Sequence, residues 1–339
     1  MPRNLIVCLS ALATIASVVA QRPANISICD YYTTALLTDD TAANQYTLLT
    51  LLVNTAVIGK YTEPSNGVLV PGILNPNGVY NDTAVNLLPY FNGCDISTNN
   101  GTVFNLITNP PISQNFLDGG GAVPLMHNLP ANDTTSNQYF LLTHLYQYFG
   151  VLLGCSKYNT AGFPAYGGVG SMYRVHQYMA LDPDEIGYFI TQVGLSAASF
   201  GVASSDINAV ANALFSLFSY KCSPPFTVVP AQGKVLDSIC VDVTCPADPN
   251  AICGLYDNIN GAGPGPAIES SCLTSSMAST SLASVTSYPT PTNSITSSRT
   301  MSSCTTISCP AATKTKTVTV TVTHGPRQSK CWYDNEGDR

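Results

Sequence analysis

One histidine in an apolar helical pattern is the residue of this chain best placed to do chemistry. It lies in residues 171–181, where helical spacing puts four side chains on one face: Met172, Val175, His176 and Met179. An imidazole on such a face points toward a core or a cofactor. A neutral imidazole there could contact a cofactor directly. The alternative is a buried histidine satisfied by a backbone carbonyl or a Tyr hydroxyl.

A second histidine, His144, lies in another predicted helix. It shares a face with Leu141, Leu145 and Tyr148. We interpret it as a candidate functional residue, and the alternative is a hydrogen bond within a Tyr-rich helix. The two remaining histidines, His127 and His324, are predicted to lie in loops.

Other catalytic templates are missing from the sequence. The chain has no Gly-x-Ser-x-Gly elbow and no His-Glu-x-x-His motif, and the glycine-rich residues 167–171 lack the lysine of a phosphate loop. We interpret those glycines as a tight turn into a helix capped by Ser171. The acidic run at Asp182, Asp184 and Glu185, with Pro183, indicates a capped helix start rather than an acid–base pair.

The sequence pattern predicts an all-α fold. Helices are expected at residues 42–58, 137–153, 171–180, 183–198 and 205–220, with loops rich in Gly, Asn and Pro between them. Residues 62–130 show no clear period, and we assign no structure to them. An internal repeat relates residues 39–52 to residues 132–145, and Leu51 in the first copy corresponds to His144 in the second. Such a duplication usually serves only the structure of the protein. The alternative is a duplicated scaffold in which one copy has become specialised for function.

Composition places the protein in the secretory pathway. Residues 1–20 are typical of a signal peptide, and sequons occur at Asn25, Asn81, Asn100 and Asn132. Removal of Cys8 with the signal leaves eleven of twelve cysteines, which we interpret as disulfide staples with one free or intermolecular thiol. The net charge of −7 with 10% charged residues argues against nucleic-acid binding, and no apolar run reaches membrane-span length.

The chain divides into three parts after the signal. Residues 21–222 are predicted to form the helical domain, residues 223–272 a small disulfide-rich module, and residues 273–339 a disordered Ser/Thr-rich tail. The tail is typical of an O-glycosylated stalk, and the Thr-Val alternation at residues 317–323 could instead form an edge strand. The charged C-terminus lacks the hydrophobic tail of a lipid-anchor signal.

A resemblance to truncated, two-over-two globins covers residues 136–217. It is carried by Leu153-Gly154, Tyr166-Gly167, Met172, His176, Met179, Leu181, Ile186, Phe200-Gly201-Val202, Ile207 and Val210, in that order. The resemblance implies a globin-like helical domain in which His176 ligates the haem iron. It also implies that His144, in the helix similar to the distal one, lies near the sixth coordination position.

These observations predict a secreted, fungal-type surface glycoprotein that binds haem. The expected cofactor contacts are His176 as the metal ligand, with His144, Met172 and Met179 beside it. The expected role is gas or peroxide chemistry, or haem capture, and no catalytic residue is assigned. The alternative is a haem-free structural or adhesion glycoprotein whose partner is a cell-wall polysaccharide or another surface component.

Overall fold

The computed structural model describes residues 21–62, 67–102 and 108–256, and the backbone of two short strands at residues 320–322 and 331–333. Helix is the main element of this part. The helices are α1 Ile28–Leu37, α2 Ala42–Ile58, α3 Leu88–Asn92, α4 Ala122–Met126, α5 Asn137–Leu152, α6 Met172–His176, α7 Pro183–Ser199 and α8 Ser204–Phe218. Four of the five predicted helices, α2, α5, α7 and α8, are present within about two residues of their expected bounds.

Helix caps in the sequence explain where these helices begin. Thr41 Oγ1 accepts from the backbone N–H of Asn44, which starts α2. Ser136 Oγ does the same for Tyr139 at the start of α5. At α7, Asp182 and Glu185 form a reciprocal capping box, with N···O distances of 2.8 and 3.1 Å. The predicted role of the acidic run as a cap is therefore confirmed.

The predicted helix at residues 171–180 is too long. Helix α6 ends at His176, because the Met179 N–H bonds to the His176 carbonyl in a tighter turn and Ala180 adopts a positive φ of 52°. The chain must turn there to enter the Asp182 cap. Ser171 is nevertheless the N-cap of α6, as predicted.

Helix α1 was not predicted, although its cap is visible in the sequence. Ser27 Oγ accepts from the Asp30 N–H (3.0 Å), and an acid at this third position favours a helix start. Cys29 on this helix forms a disulfide with Cys155, just beyond α5. The first helix is thus tied covalently to the far end of α5.

The segment to which no structure was assigned contains a hairpin and two short helices. Strand β1 Gly78–Tyr80 pairs antiparallel with β2 Thr83–Val85, with Val79 opposite Ala84. Its two-residue turn, Asn81 and Asp82, has positive φ at both positions, as a type I′ turn requires. The hairpin packs on α7, and the Tyr188 hydroxyl donates to the Gly72 carbonyl (2.8 Å).

The core lies between α2, α5, α7 and α8. A buried polar contact fixes the register of α2 against α5: the Tyr146 hydroxyl donates to Asn54 Oδ1 (2.6 Å), and Asn54 Nδ2 donates to the Leu125 carbonyl (3.1 Å). Both side chains are fully buried. Satisfied polar pairs of this kind specify one packing arrangement, because any other leaves buried groups unpaired.

The two copies of the sequence repeat each contain a glutamine that binds a neighbouring loop. Gln45 of α2 and Gln138 of α5 occupy the same position in the two copies, and both are fully buried. Gln45 Oε1 accepts from the Lys157 N–H and Gln138 Oε1 from the Gly121 N–H, each at 2.9 Å. Each glutamine therefore fastens a loop onto its helix.

The residues after Cys222 pack on the helices. Two disulfides, Cys222–Cys253 and Cys240–Cys245, tie this segment. Ile239 and Cys240 belong to the same apolar core as the helices. Disulfide staples are confirmed for these four cysteines and for Cys29–Cys155.

Two strands occur in the tail region. Strand β3 Val320–Val322, within the Thr-Val alternation, pairs antiparallel with β4 Cys331–Tyr333. The Thr-Val alternation therefore contains a strand, which was the alternative to a stalk at these positions. The rest of the predicted tail, including His324, lies outside the described residues. Within the described part of the chain, no helix has both the length and the apolar character needed to cross a bilayer.

We expect the Gly150→Ala substitution to destabilise the protein although Gly150 lies inside α5. A Cβ at this position would overlap the fully buried Phe163 ring. Overpacking typically costs about 1–3 kcal/mol, which outweighs the gain of up to about 1 kcal/mol in helix propensity. Denaturant unfolding of Gly150→Ala, with and without Phe163→Leu, checks this. A gain in stability for the single variant, or strictly additive effects, would contradict the packing.

Candidate functional site

A cavity of about 500 Å³ opens beside α5. This volume lies within the range of sites that bind small molecules and cofactors. Its walls come from α5, the segment that carries α6, the first turns of α7, helix α3, and the loop residues 97–100 and 114–116. The apolar part of the lining consists mainly of Val57, Ile73, Leu87, Phe91, Phe116, Phe140, Leu141, Leu145, Phe149, Val169, Val175, Leu181, Ile186, Phe189, Phe218 and Ile239.

All four cofactor residues expected from the sequence line this cavity. His176 and Met172 come from α6, Met179 from the turn that follows, and His144 from α5. Helix α6 is short, but the turn after His176 still brings Met179 to the cavity wall. The fold therefore brings together residues 144 and 172–179, which are separated in sequence.

The geometry of His176 fixes which nitrogen can act as a ligand. Its Nδ1 lies 2.7 Å from the Met172 carbonyl oxygen, one helical turn earlier. Because a carbonyl only accepts, Nδ1 carries the proton and Nε2 carries the lone pair. Burial lowers the pKa of His176, although the bond to Met172 opposes this, so the ring is held neutral. Within the described residues, Nε2 has no hydrogen-bond partner.

His144 stands in the cavity wall among aromatic rings. Its ring centroid is 5.6 Å from that of Tyr166 in an edge-to-face contact and 6.4 Å from that of Phe140. Burial lowers the pKa of His144 as well. No group in the described part of the chain hydrogen-bonds either ring nitrogen. This neutral imidazole is therefore available to a ligand in the cavity.

The segment after Cys222 holds the helix that carries His176. The Ser171 hydroxyl donates to the Leu236 carbonyl (2.5 Å), and the Tyr173 N–H donates to the same oxygen (3.1 Å). The Met172 N–H donates to Asp237 Oδ1 (3.3 Å). The first turn of α6 is thus held by hydrogen bonds to residues 236–237. These residues are close in sequence to the Cys240–Cys245 disulfide.

Two buried polar side chains lie at the cavity: Tyr148 lines it, and Asp237 bonds the first turn of α6. Tyr148 and Asp237 are both more than nine-tenths buried, and in the described residues neither the Tyr148 hydroxyl nor Asp237 Oδ2 has a hydrogen-bond partner. Burial raises the pKa of Asp237 to about 6. Buried polar atoms of this kind are commonly satisfied by an ordered water, which two such groups can share.

Glu185 has a second role besides capping α7. Its side chain lines the cavity, and burial raises its pKa to about 7. Its Oε1 lies 3.3 Å from the Tyr90 hydroxyl, which itself donates to the Met179 carbonyl (2.8 Å). Since the Tyr90 proton is engaged there, a protonated Glu185 can donate to the Tyr90 oxygen.

We expect Glu185 to make the protein less stable as pH rises from about 4.5 to about 7. A carboxyl whose folded pKa is raised binds its proton more tightly in the folded state, so its contribution is complete below the unfolded pKa and is lost as pH passes the folded value. The free energy of unfolding of wild type minus that of Glu185→Gln should fall by about 2.5 kcal/mol over this interval. Glutamine preserves the capping box and removes the titrating carboxyl group, so the difference between the two proteins reports the charge of Glu185 alone. A difference that does not change with pH would contradict the assignment.

Comparisons of this chain with protein-family models, with curated proteins and with solved structures find no match. The site therefore has to be interpreted from its own geometry. In the described residues, no three His, Cys, Asp or Glu side chains are grouped so that they could hold a metal ion.

Several lining residues were missed at the sequence level. Tyr90 and Gln114 lie in the segment to which no structure was assigned, and Glu185 was interpreted only as a cap. Tyr148 was noted only as a neighbour of His144 on one helix face, and Tyr166 only within the globin resemblance. The signal for Glu185 was available, since its position in the first turn of α7 lies next to the His176 segment.

Proposed function

We propose that this protein binds haem in the cavity beside α5, where His176 Nε2 would hold the iron. The observation that carries the proposal is the His176 geometry: Nδ1 donates to the Met172 carbonyl, and Nε2 has no partner in the described residues. Histidines that bind metals usually donate their other N–H to a carbonyl or carboxylate, which fixes the tautomer and orients the ring.

The rest of the lining supports the same proposal. The cavity is mostly apolar and of cofactor size, and both its histidines are neutral because burial lowers their pKa values. A neutral imidazole is the form that ligates iron. Met172 and Met179 supply flexible apolar contacts of the kind that adapt to a flat ring. The globin resemblance at residues 136–217 is consistent with this assignment.

Each residue has a distinct part in this proposal. His176 would bind the haem iron and orient the haem in the cavity. The Met172 carbonyl sets the tautomer of His176, and the apolar wall excludes water. Haem held by one imidazole supplies an iron coordination position for a diatomic gas or a peroxide. His144, a neutral group in the same wall, would donate to or accept from a ligand there. Secretion, glycosylation and wall association belong to the same proposal, and the disulfides are compatible with an oxidising compartment.

An absorption titration tests the proposal. The protein, secreted by a eukaryotic host so that its disulfides form, is titrated with haemin and recorded across the Soret region. We expect a sharp, saturable Soret shift at one haemin per chain. Metal-free protoporphyrin serves as the comparison, because it fills the cavity without using the His176 lone pair and should bind more weakly.

The opposite result is equally informative. A folded protein that shows no saturable shift would reject haem binding. The haem-free structural or adhesion role would then be the better hypothesis, to be tested by binding to cell-wall polysaccharide.

A further inference from the structure

None of the described residues that line the cavity carries a positive charge. Six cationic side chains occur in the described residues, and none of them lines the cavity: Arg22, Lys60, Lys157, Arg174, Lys221 and Lys234. Among the described lining residues, one side chain is acidic, that of Glu185. Proteins usually hold carboxylate ligands with Arg or Lys. The described lining of this cavity offers neither, which disfavours ligands that bury a negative charge.

One end of the cavity is polar but neutral. It is built from the amide and hydroxyl side chains of Ser97, Thr98, Asn100, Gln114 and Asn137. The Gln114 backbone N–H donates to Ser97 Oγ (3.2 Å), and Gln114 Nε2 donates to Asn137 Oδ1, so Gln114 links the loop at Ser97 to the start of α5. Asn137 begins α5, which places this polar end about 10 Å from His144 along the helix.

We propose that the cavity selects ligands whose enclosed surface is uncharged, and that a bound porphyrin keeps its ionised carboxylates in solvent beyond the amide end. Burying an ionised carboxylate without a cation is costly, and neutral amides compensate only part of that cost. An uncharged ring system meets apolar walls and one hydrogen-bonding end. The porphyrin form of this proposal depends on the proposed haem function, whereas the charge selectivity does not.

The first test compares haemin with its dimethyl ester, which has the same iron and ring but no ionised carboxylates. We expect their dissociation constants to agree within about threefold. Haemin affinity should also be insensitive to salt between 50 and 500 mM, because no fixed cation is screened. Haemin binding that is more than tenfold tighter than ester binding, and that weakens steeply with salt, would overturn the proposal.

A matched pair of variants locates the carboxylates. Asn100 and Asn81 are both exposed, both have positive φ and both lie in sequons, but only Asn100 lines the cavity. Asn100→Lys should tighten haemin by up to about fivefold, the range of an exposed ion pair, and leave the ester unchanged. Asn81→Lys should change neither. An equal effect of Asn100→Lys on both porphyrins would overturn the placement.

A dye experiment keeps the proposal testable without iron. Neutral N-phenyl-1-naphthylamine and anionic 8-anilinonaphthalene-1-sulfonate have similar aromatic cores and differ in charge. We expect the neutral dye to bind at least tenfold more tightly. If neither porphyrin binds but this preference holds, the haem function fails and the charge selectivity stands. Equal affinity for the two dyes would overturn the selectivity itself.

Discussion

The His176→Ala variant should bind haemin at least about 100-fold more weakly than wild type. Loss of a group that merely orients a metal ligand typically costs 10- to 100-fold, and His176 would be the ligand itself. The variant should still fold, since the hydrogen bond to the Met172 carbonyl contributes only about 1 kcal/mol. Soret titration and circular dichroism measure the two effects separately.

Two further measurements make this prediction specific. Added imidazole should restore the Soret band of His176→Ala by occupying the space left by the ring. His127→Ala, which removes an exposed histidine at the end of α4, should titrate like wild type. A His176→Ala protein with an unchanged spectrum would show that another group ligates the iron, and His144→Ala would then identify it.

Removing the Cys29–Cys155 disulfide should lower the free energy of unfolding by about 5 kcal/mol. The two cysteines are 126 positions apart, and the entropy lost by the unfolded chain rises with the length of the closed loop. The Cys29→Ala/Cys155→Ala double variant avoids leaving a free thiol. Guanidinium unfolding of the two proteins gives the difference.

The Cys240–Cys245 disulfide provides an internal control. Its cysteines are only five positions apart, so the same relation gives about 2 kcal/mol for the matching double variant. If removing the short loop costs as much as removing the long one, chain entropy is not the main source of stabilisation. Packing of the sulfur atoms in the core would then explain both losses.

Local signals in the sequence were sufficient for four of the helices, α2, α5, α7 and α8. The Thr41, Ser136 and Asp182 caps act within four residues of their own positions, and helical periodicity depends only on spacing. The spacing of apolar residues around His176 and His144 is therefore enough to place both on apolar helix faces. The same patterns do not show that the two faces meet at one cavity.

What the sequence could not predict depends on contacts between distant residues. Helix α6 ends early because the chain must turn toward the Asp182 cap, a constraint that a helix pattern does not contain. Disulfide pairing has many combinations for this number of cysteines. The polar end of the cavity depends on residues 97–100 meeting residue 114, within a segment that has no period at all.

The attachment of α6 to residues 236–237 also has a consequence for biosynthesis. The partners of Ser171 and Met172 come 65 positions later in the chain. While the nascent chain is being made, α2 and α5 can pack as soon as both have emerged, but the hydrogen bonds that hold the first turn of α6 cannot form until the segment around Leu236 follows. If haem binds as proposed, it would load onto His176 only after residues 236–237 have docked on α6, later than the packing of α2 against α5.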